Sequence, residues 1–263
     1  LFSLVISFSS WKYTSGLSGI TFTGLRNYIK LFSDRTFGYG VKNTFVYVLT
    51  TVPTSLVLSL VLAYLLNNRV FAAKFMRTLF FIPYISSIVA LSALFKYLFR
   101  NDGPINMVLM NAFGVVDPPK WLASSDYNKI PIILLLIWTS IGYEMVIYMA
   151  ALQNVPVSLY EAAEVDGANR AQQFFRITLP SLQNITFTLG VVGTLWCFNI
   201  FDMIWPLTSG GPLNITTTVP VYIYRGAFQK FKIGRTSAAS VVTSVLLLLL
   251  AVVLIRATKP KDE

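Results

Sequence analysis

Two groups of polar and aromatic residues lie inside otherwise apolar stretches of this 263-residue sequence, at positions 138–144 and 193–202. Aromatic rings can stack on the C–H face of a sugar, while hydroxyls, amides and a carboxyl pair with its hydroxyl groups. Polar groups at mid-membrane are costly and tend to face a cavity. We therefore predict a low-affinity sugar path lined by Trp138, Thr139, Ser140, Tyr143, Glu144, Gly193, Trp196, Cys197, Asn199 and Ile200.

Helical geometry groups these residues on two faces. Ser140, Tyr143 and Glu144 share one helix face, and a second face carries Gly193, Trp196, Cys197 and Ile200. The alternative is a packing role, because small polar residues join membrane helices and Trp or Tyr anchor at the interface. An unpaired carboxylate at Glu144 would be costly in such a setting, so we expect it to be neutral or paired with another subunit.

The composition predicts a membrane protein and argues against an enzyme. Hydrophobic residues make up 55% of the chain, charged residues 12%, and the mean hydropathy is +0.64. Histidine, the commonest general base and metal ligand, is absent, and a single cysteine excludes an intrachain disulfide. The net charge of +10 is scattered through loops, which argues against nucleic acid as a partner.

The apolar runs predict an all-α integral membrane protein with six transmembrane helices. Each full span has the roughly 20 residues that a helix needs to cross a bilayer. Pro53 and Pro83 are expected to kink the second and third spans. No basic region precedes the first apolar stretch, so we interpret it as the outer end of a truncated first helix. The expected spans are 1–10 (partial), 43–66, 78–99, 130–152, 185–206 and 237–255.

A polar segment at residues 156–180 separates the fourth and fifth spans and predicts a short helical hairpin at the membrane surface. Pro156 suits a first helical turn, where its missing N–H has no partner. Gly167 can take the left-handed conformation that ends this helix. A second helix then follows and is expected to end at Pro180. The paired alanines Ala162 and Ala163 leave a small face that another protein can approach closely.

The hairpin resembles the EAA loop of ATP-binding-cassette (ABC) importer permeases. Glu161, Ala162 and Ala163 are followed by Gly167 and then by Ile177, Leu179 and Pro180 at the family spacing. Further stretches are similar to the carbohydrate-uptake, MalF-like class, among them RTLFFIPYISSIVA, WTSIGYEMVIYMAALQNVP and PLTSGGP. The resemblance covers nearly the whole chain. It implies a single permease domain over residues 1–263 with the type I ABC importer permease fold.

The resemblance also implies partners. A second, related permease would complete the translocation path, two cytoplasmic ATPases would dock on the hairpin, and an external solute-binding protein would deliver a carbohydrate. The chain has no GxxxxGK[ST] phosphate loop, so ATP and magnesium would be bound by the ATPases and no cofactor by this chain. The residues expected to couple the permease to the ATPase are Glu161, Ala162, Ala163, Gly167, Ile177, Leu179 and Pro180.

Orientation follows chiefly from the resemblance, which places the hairpin and the C-terminus in the cytoplasm of a prokaryotic cell. Only eight of the 21 basic residues then lie inside, against the simple form of the positive-inside rule. The rule weighs short loops, however, and the loop of residues 67–77 and the C-terminal tail are dense in Lys and Arg. A further basic cluster before the last span is expected to reach toward lipid headgroups, and the alternative is contact with an acidic rim of the binding protein or with an anionic substrate. Its members are Arg225, Lys230, Lys232 and Arg235.

Three other functions remain open from the sequence. ABC permeases for amino acids, peptides or phosphate share the EAA loop. An ion-driven transporter would show paired intramembrane acids or inverted repeats, whereas Glu144 is the single acid of this kind. A membrane enzyme would need a convergent acid pair or a histidine. Dependence on a cytoplasmic ATPase separates the importers from the ion-driven class.

Overall fold

The computed structural model describes residues 2–11, 16–67 and 73–257, and these residues are mostly helical. The first half contains α1 (Phe2–Ser7), β1 (Ser9–Ser10), β2 (Thr21–Phe22), α2 (Arg26–Phe32), α3 (Arg35–Asn67), α4 (Ala73–Ile85), α5 (Ile88–Leu98) and α6 (Pro104–Phe113). The second half contains α7 (Lys129–Gln153), α8 (Val157–Val165), α9 (Arg170–Gln173), α10 (Leu179–Ser181), α11 (Gln183–Phe198), α12 (Ile204–Thr208), α13 (Val219–Tyr224) and α14 (Ile233–Ala257). Strands β1 and β2 pair antiparallel, and π-helical turns occupy Phe174–Thr178 and Arg225–Gln229.

Within the described ranges, three single helices are long and apolar enough to cross a membrane: α3, α7 and α14 up to Leu254. A fourth candidate is the bent pair α4 and α5. The remaining two expected spans take other forms, since α1 ends at Ser7 and α11 has only 16 residues. Leu1, at the start of the first expected span, lies outside the described residues. Residues 68–72 and 258–263 also lie outside them, and some of the basic residues used in the charge argument for orientation are among these.

The expected third span, 78–99, is two helices that meet at an angle of 98°. Pro83 lies inside α4, and the break follows it at Ser86 and Ser87. Ser87 adopts an extended conformation and caps α5 by accepting a hydrogen bond from the Ala90 N–H at 3.5 Å. Pro53, by contrast, lies within the uninterrupted helix α3. Pro83 thus lies next to a break because Ser87 caps a new helix shortly after it, whereas α3 continues through Pro53.

The expected fifth span, 185–206, was wrong as a single helix, because α11 ends at Phe198 and α12 begins at Ile204. The irregular backbone between them is held by polar contacts within the protein. Thr218 donates its hydroxyl proton to the Ile200 carbonyl at 3.1 Å, and the Asn199 amide donates to the Leu195 carbonyl at 2.9 Å. Broken helices at membrane depth need such internal partners.

The loop between α12 and α13 folds back onto the first turns of α3. Asn43 is 1% exposed and donates both amide hydrogens to this loop, to the carbonyls of Ile215 at 2.6 Å and Thr217 at 2.9 Å. Gly40 permits the close approach, because a Cβ there would lie 3.3 Å from the Thr218 carbonyl carbon. This buried loop thus fixes one end of α3 beside the broken span.

The centre of the fold is the long contact between α3 and α7. One apolar cluster lies toward α12 and α13 and includes Val52, Leu135 and Ile204. A second lies toward the hairpin and includes Leu60 and Leu152. Helix α11 packs on α3, α4 packs on α7, and α1 packs on α14. Two apolar layers therefore enclose a polar level midway along the α3–α7 pair.

A polar clasp joins α3, α13 and α14 at the start of α3. The Asp34 carboxylate accepts hydrogen bonds from the Thr36 N–H at 3.0 Å, the Tyr222 hydroxyl at 3.0 Å and the Arg235 guanidinium at 3.2 Å. Burial alone would raise the pKa of Asp34, but these three donors outweigh it and hold the pKa below its ordinary value of 3.8. The ionised form thus stabilises the folded chain.

Replacing Asp34 with Asn tests this clasp. A lowered folded-state pKa contributes stability that is complete above about pH 3.8 and is lost as the pH falls through the folded pKa. We expect Asp34→Asn to lower the unfolding temperature at pH 7 by a few degrees, for a loss of about 1 kcal/mol. The difference from the wild type should shrink below pH 4.

The matched control is Asp102→Asn, since the Asp102 side chain is 70% exposed in its ion pair with Arg100. Thermal melts of the purified protein in detergent, from pH 3 to pH 7, compare the three proteins. Equal melting curves for Asp34→Asn and the wild type at every pH would contradict a stabilising clasp. An exposed pair such as Asp102–Arg100 should contribute little.

Candidate functional site

A cavity of about 250 Å³ opens between α4, α5, α7 and α11, at the polar level between the two apolar clusters. Its wall combines aromatic rings, hydroxyls and one carboxyl with aliphatic side chains. The lining residues are Pro83, Tyr84, Ile88, Thr139, Ser140, Tyr143, Glu144, Leu189, Val192, Gly193, Trp196 and Met203. A space of this size and chemistry suits a small polar molecule with apolar faces.

Six of the ten residues expected to form the path line this cavity. They are Thr139, Ser140, Tyr143, Glu144, Gly193 and Trp196. The face of α7 expected from helical spacing is therefore present as a wall of a real cavity. Trp196 is 40% exposed and faces the open side, where another subunit would complete the enclosure. The structure places these side chains together, and their role in transport stays a prediction.

The other four lie elsewhere. Cys197 and Ile200 are 0% and 4% exposed and belong to the apolar cluster with Val52, so their assignment to the cavity face was wrong. The helix breaks after Phe198, which turns Ile200 away from the face that Trp196 shares with the cavity. Asn199 is exposed and bonds its own helix, and Trp138 packs against Phe95 with ring centroids 5.7 Å apart.

Glu144 is fixed by two serines of α3. The Ser55 hydroxyl lies 2.9 Å from its Oε1 atom, and the Ser59 hydroxyl lies 2.9 Å from its Oε2 atom. Glu144 is 5% exposed, and both serines are buried. Neither ion pair found in the described residues involves it. Neutral hydroxyls of its own chain thus hold this carboxyl, and the expectation that Glu144 is neutral or paired with another subunit stays a prediction.

Sequence reasoning missed several parts of this site. Ser55 and Ser59 are four residues apart in an apolar helix, a spacing that places both on one face and could have suggested a partner acid. Tyr84 stacks on Tyr143 with ring centroids 5.1 Å apart and an interplanar angle of 22°. It follows Pro83 directly, but its approach to α7 depends on the close crossing of α4 and α7, which the sequence did not show.

Gly142 sets the distance between α4 and α7 beside the cavity. A Cβ at this position would collide with the Phe80 carbonyl oxygen and would lie 2.9 Å from the Phe81 Cα. Both are backbone atoms, which cannot move aside as a flexible side chain can. Small residues permit such backbone approach in membrane helices. The stacked pair of Tyr84 and Tyr143 depends on this close crossing.

The segment 156–180 forms a helical hairpin, as expected. Gly167 adopts a φ of +77°, which confirms the left-handed turn that ends α8. The Ala168 N–H donates to the Ala163 carbonyl at 2.8 Å and the Gly167 N–H donates to the Glu164 carbonyl at 3.0 Å, the two bonds of a Schellman motif. Asn169 and Gln172 then form a reciprocal capping box that starts α9.

The end of the hairpin differs from the expectation that Pro180 stops the second helix. Pro180 lies within α10, which follows α9 through the π-helical turn Phe174–Thr178. Proline cannot donate to the carbonyl four residues earlier, and a wider turn directly before it accommodates the lost bond. The helical path then continues past a turn at Leu182 into α11. At the start of the hairpin, Pro156 is the N-cap of α8 and lies one residue before its first turn.

The hairpin presents an apolar and charged surface. Its two arms are joined where the hydroxyls of Tyr160 and Thr178 lie 2.9 Å apart. Glu161 and Ala162 are exposed and Ala163 is half-buried, while Ile177 lines a groove with Ala163 and Gly167. Large apolar side chains are also exposed on the hairpin and its flanks: Val157 (68%), Leu159 (46%), Val165 (88%), Phe175 (64%) and Leu179 (37%). Such a surface is typical of a protein interface.

Comparisons with known proteins agree with this geometry. Residues 34–260 match the family described as binding-protein-dependent transport system inner membrane component. The chain is 35% identical over 254 residues to the lactose transport system permease protein LacF of Rhizobium radiobacter, a match that covers 95% of this chain and 83% of LacF. The family match spans the cavity and the hairpin alike.

Two solved structures share the fold. One is a bacterial ABC transporter involved in the import of the acidic polysaccharide alginate; its TM-score is 0.82 at 24% identity, over 91% of this chain and 85% of that chain. The other is a bacterial alginate ABC transporter in complex with an alginate pentasaccharide-bound periplasmic protein, with a TM-score of 0.79 at 25% identity, over 88% and 81%. The expected ABC importer permease fold is therefore confirmed.

Enlarging Gly142 tests the crossing beside the cavity. We expect Gly142→Ala to destabilise the folded protein by about 1–3 kcal/mol, because the added methyl forces two backbones apart. The control is Gly190→Ala on α11, where a Cβ would meet only Leu56 Cδ1, at an ordinary 3.7 Å. Thermal unfolding in detergent measures both variants. A melting temperature for Gly142→Ala equal to that of Gly190→Ala would contradict the close crossing.

Proposed function

The chain belongs to the family of binding-protein-dependent transport system inner membrane components, and we propose that it forms half of the path of an ATP-driven carbohydrate importer. The observation that carries this proposal is the cavity on α7 and α11, where aromatic rings stand beside hydroxyls. Sugars combine apolar ring faces with many hydroxyls and need both kinds of contact. The lactose transport name of LacF supports a saccharide as the substrate class.

The proposed partners follow from the two open surfaces. A second, related permease would close the exposed side of the cavity near Trp196 and Tyr84, which are 40% and 48% exposed. A cytoplasmic ATPase would receive the hairpin, and its twin would receive that of the second permease. A solute-binding protein outside the membrane would deliver the sugar, as the periplasmic protein in the alginate transporter complex suggests.

Hydrolysis of ATP, with its magnesium, would take place on the ATPases. The permease would contribute movement of its helices and no catalytic group. A movement of the hairpin would reach the cavity helices over a short stretch of chain. Helix α8 begins four residues after the end of α7, and α10 leads through Leu182 into α11. Two of the helices that wall the cavity, α7 and α11, are thus joined directly to the proposed coupling hairpin.

In this proposal the hairpin and the C-terminus face the cytoplasm of a prokaryotic cell. The opposite end of α7 is preceded by a loop in which the Trp121 indole N–H donates to Asn106 Oδ1 at 2.7 Å and the Trp121 ring packs near Tyr127. Aromatic residues of this kind favour a membrane–water interface. The exposed apolar surface of the hairpin would be covered by the ATPase.

A first test breaks the proposed coupling. We expect Gly167→Pro and Ala163→Asp to reduce substrate-stimulated ATP hydrolysis at least tenfold, because one destroys the left-handed turn and the other places a charge on the docking face. Both proteins should still insert in the membrane and assemble with the second permease. Stimulated ATPase activity of the reconstituted transporter is measured against its basal rate.

Gly114→Pro is the matched control for Gly167→Pro. Gly114 also ends a helix in the left-handed conformation, at φ 68°, with open space around it, but it follows α6 far from the hairpin. We expect this variant to retain stimulation. Normal stimulation of Gly167→Pro and Ala163→Asp would contradict the coupling role.

A second test concerns the sugar path. Tyr84→Ala removes a ring that lines the cavity and stacks on Tyr143. An aromatic stacking contact contributes about 0.5–1.5 kcal/mol, so we expect the concentration of sugar for half-maximal uptake to rise roughly two- to tenfold. Tyr97→Ala is the control, because Tyr97 is 57% exposed on α5 and is absent from the lining. Equal uptake curves for both variants would argue against the path.

A further inference from the structure

The described wall of the cavity contains an acidic residue and no basic one. Among its described lining residues, Glu144 is the single acid and no lysine or arginine is present. The other polar groups are the hydroxyls of Tyr84, Thr139, Ser140 and Tyr143 and the indole N–H of Trp196. Every group that this wall offers to a substrate is thus neutral or acidic.

None of the described cations on the surrounding helices lines the cavity. Lys129 begins α7, fifteen residues before Glu144, which is about 22 Å along a helix axis. Arg77 of α4 donates to the Leu66 carbonyl at 3.0 Å, toward the hairpin end of α3. Helix α11 carries no charged residue from Gln183 to Phe198. No described cation therefore compensates a negative charge at the cavity.

The position of Glu144 is held from behind by α3, because Ser55 and Ser59 each lie 2.9 Å from one carboxyl oxygen. These contacts leave the carboxyl little freedom to swing out of the wall. An ionised Glu144 repels an anionic sugar in a medium of low dielectric constant. A neutral carboxyl supplies no positive charge either, so an anionic sugar would lose its hydration without a counter-ion.

We propose that Glu144 makes this path selective for uncharged saccharides and against sugars that carry a carboxylate or sulfonate. The inference rests on the proposed function and narrows its substrate class. It separates this chain from the alginate importers that share its fold, since alginate is an acidic polysaccharide. An uncharged sugar keeps its stacking on Tyr84 and Tyr143 and can donate a hydroxyl proton to Glu144.

The test measures binding to the purified transporter without its solute-binding protein, which isolates the preference of the path. Saturation-transfer NMR suits weak binding and uses lactose, maltotriose and arabinotriose as neutral probes, with trigalacturonate and an alginate trisaccharide as acidic probes. We expect the wild type to bind at least one neutral probe and to bind both acidic probes at least tenfold more weakly. Equal or tighter binding of an acidic probe would overturn the inference.

Two different variants change the charge of the wall, so that misfolding of one variant does not decide the test. Glu144→Gln removes the charge and keeps the shape, and Ser140→Lys adds a cation to the same wall, one helical turn from Glu144. Each should bring the affinities for acidic and neutral probes at least fivefold closer together. Asp117→Asn, an exposed acid outside the cavity, should leave their ratio unchanged.

The outcomes separate this inference from the function on which it rests. An unchanged ratio in a folded Ser140→Lys protein, together with an unchanged ratio in Glu144→Gln, would refute the selectivity role while the carbohydrate path stands. Absence of binding to every saccharide, neutral or acidic, would count against the carbohydrate path itself. Assembly of each variant is checked by size-exclusion chromatography with the second permease.

Discussion

The contact between α3 and α7 is the constraint on which the rest of the structure depends. Midway along this contact, the carboxyl of Glu144 meets the hydroxyls of Ser55 and Ser59, with an apolar cluster on either side. Lipid offers no hydrogen-bond partner to such groups, so the two helices must keep this register to satisfy them. The fixed face of α7 then serves as one wall of the cavity.

Breaks in the helices shape the other walls of the cavity. The bend between α4 and α5 places Ile88 beside Tyr84 in the cavity wall, and the break after Phe198 lets Met203 reach the same space. Irregular backbone of this kind is tolerated in a membrane only where the protein supplies its hydrogen bonds. Thr218 supplies one of them for the broken span, and Asn43 holds the loop that carries Thr218. The cavity and the loop between α12 and α13 are therefore parts of one arrangement.

The sequence predicted the features that depend on local patterns. Long apolar runs identified α3, α7 and α14, and the glycine at 167 identified the turn of the hairpin. Helical spacing placed Ser140, Tyr143 and Glu144 on one wall. The features that it missed depend on contacts between distant segments. The bend at Ser87, the partners of Glu144 on α3 and the π-turn before Pro180 all required the packed structure.

We propose that ATP hydrolysis by partner subunits moves a sugar through the cavity of this chain and its companion. The most direct measurement is ATP hydrolysis by the complete transporter in lipid, across a saccharide panel, with and without the loaded solute-binding protein. We expect that a saccharide stimulates hydrolysis and that the loaded binding protein is required. Stimulation only by amino acids, peptides or phosphate, or failure of this chain to associate with any ATPase, would contradict it.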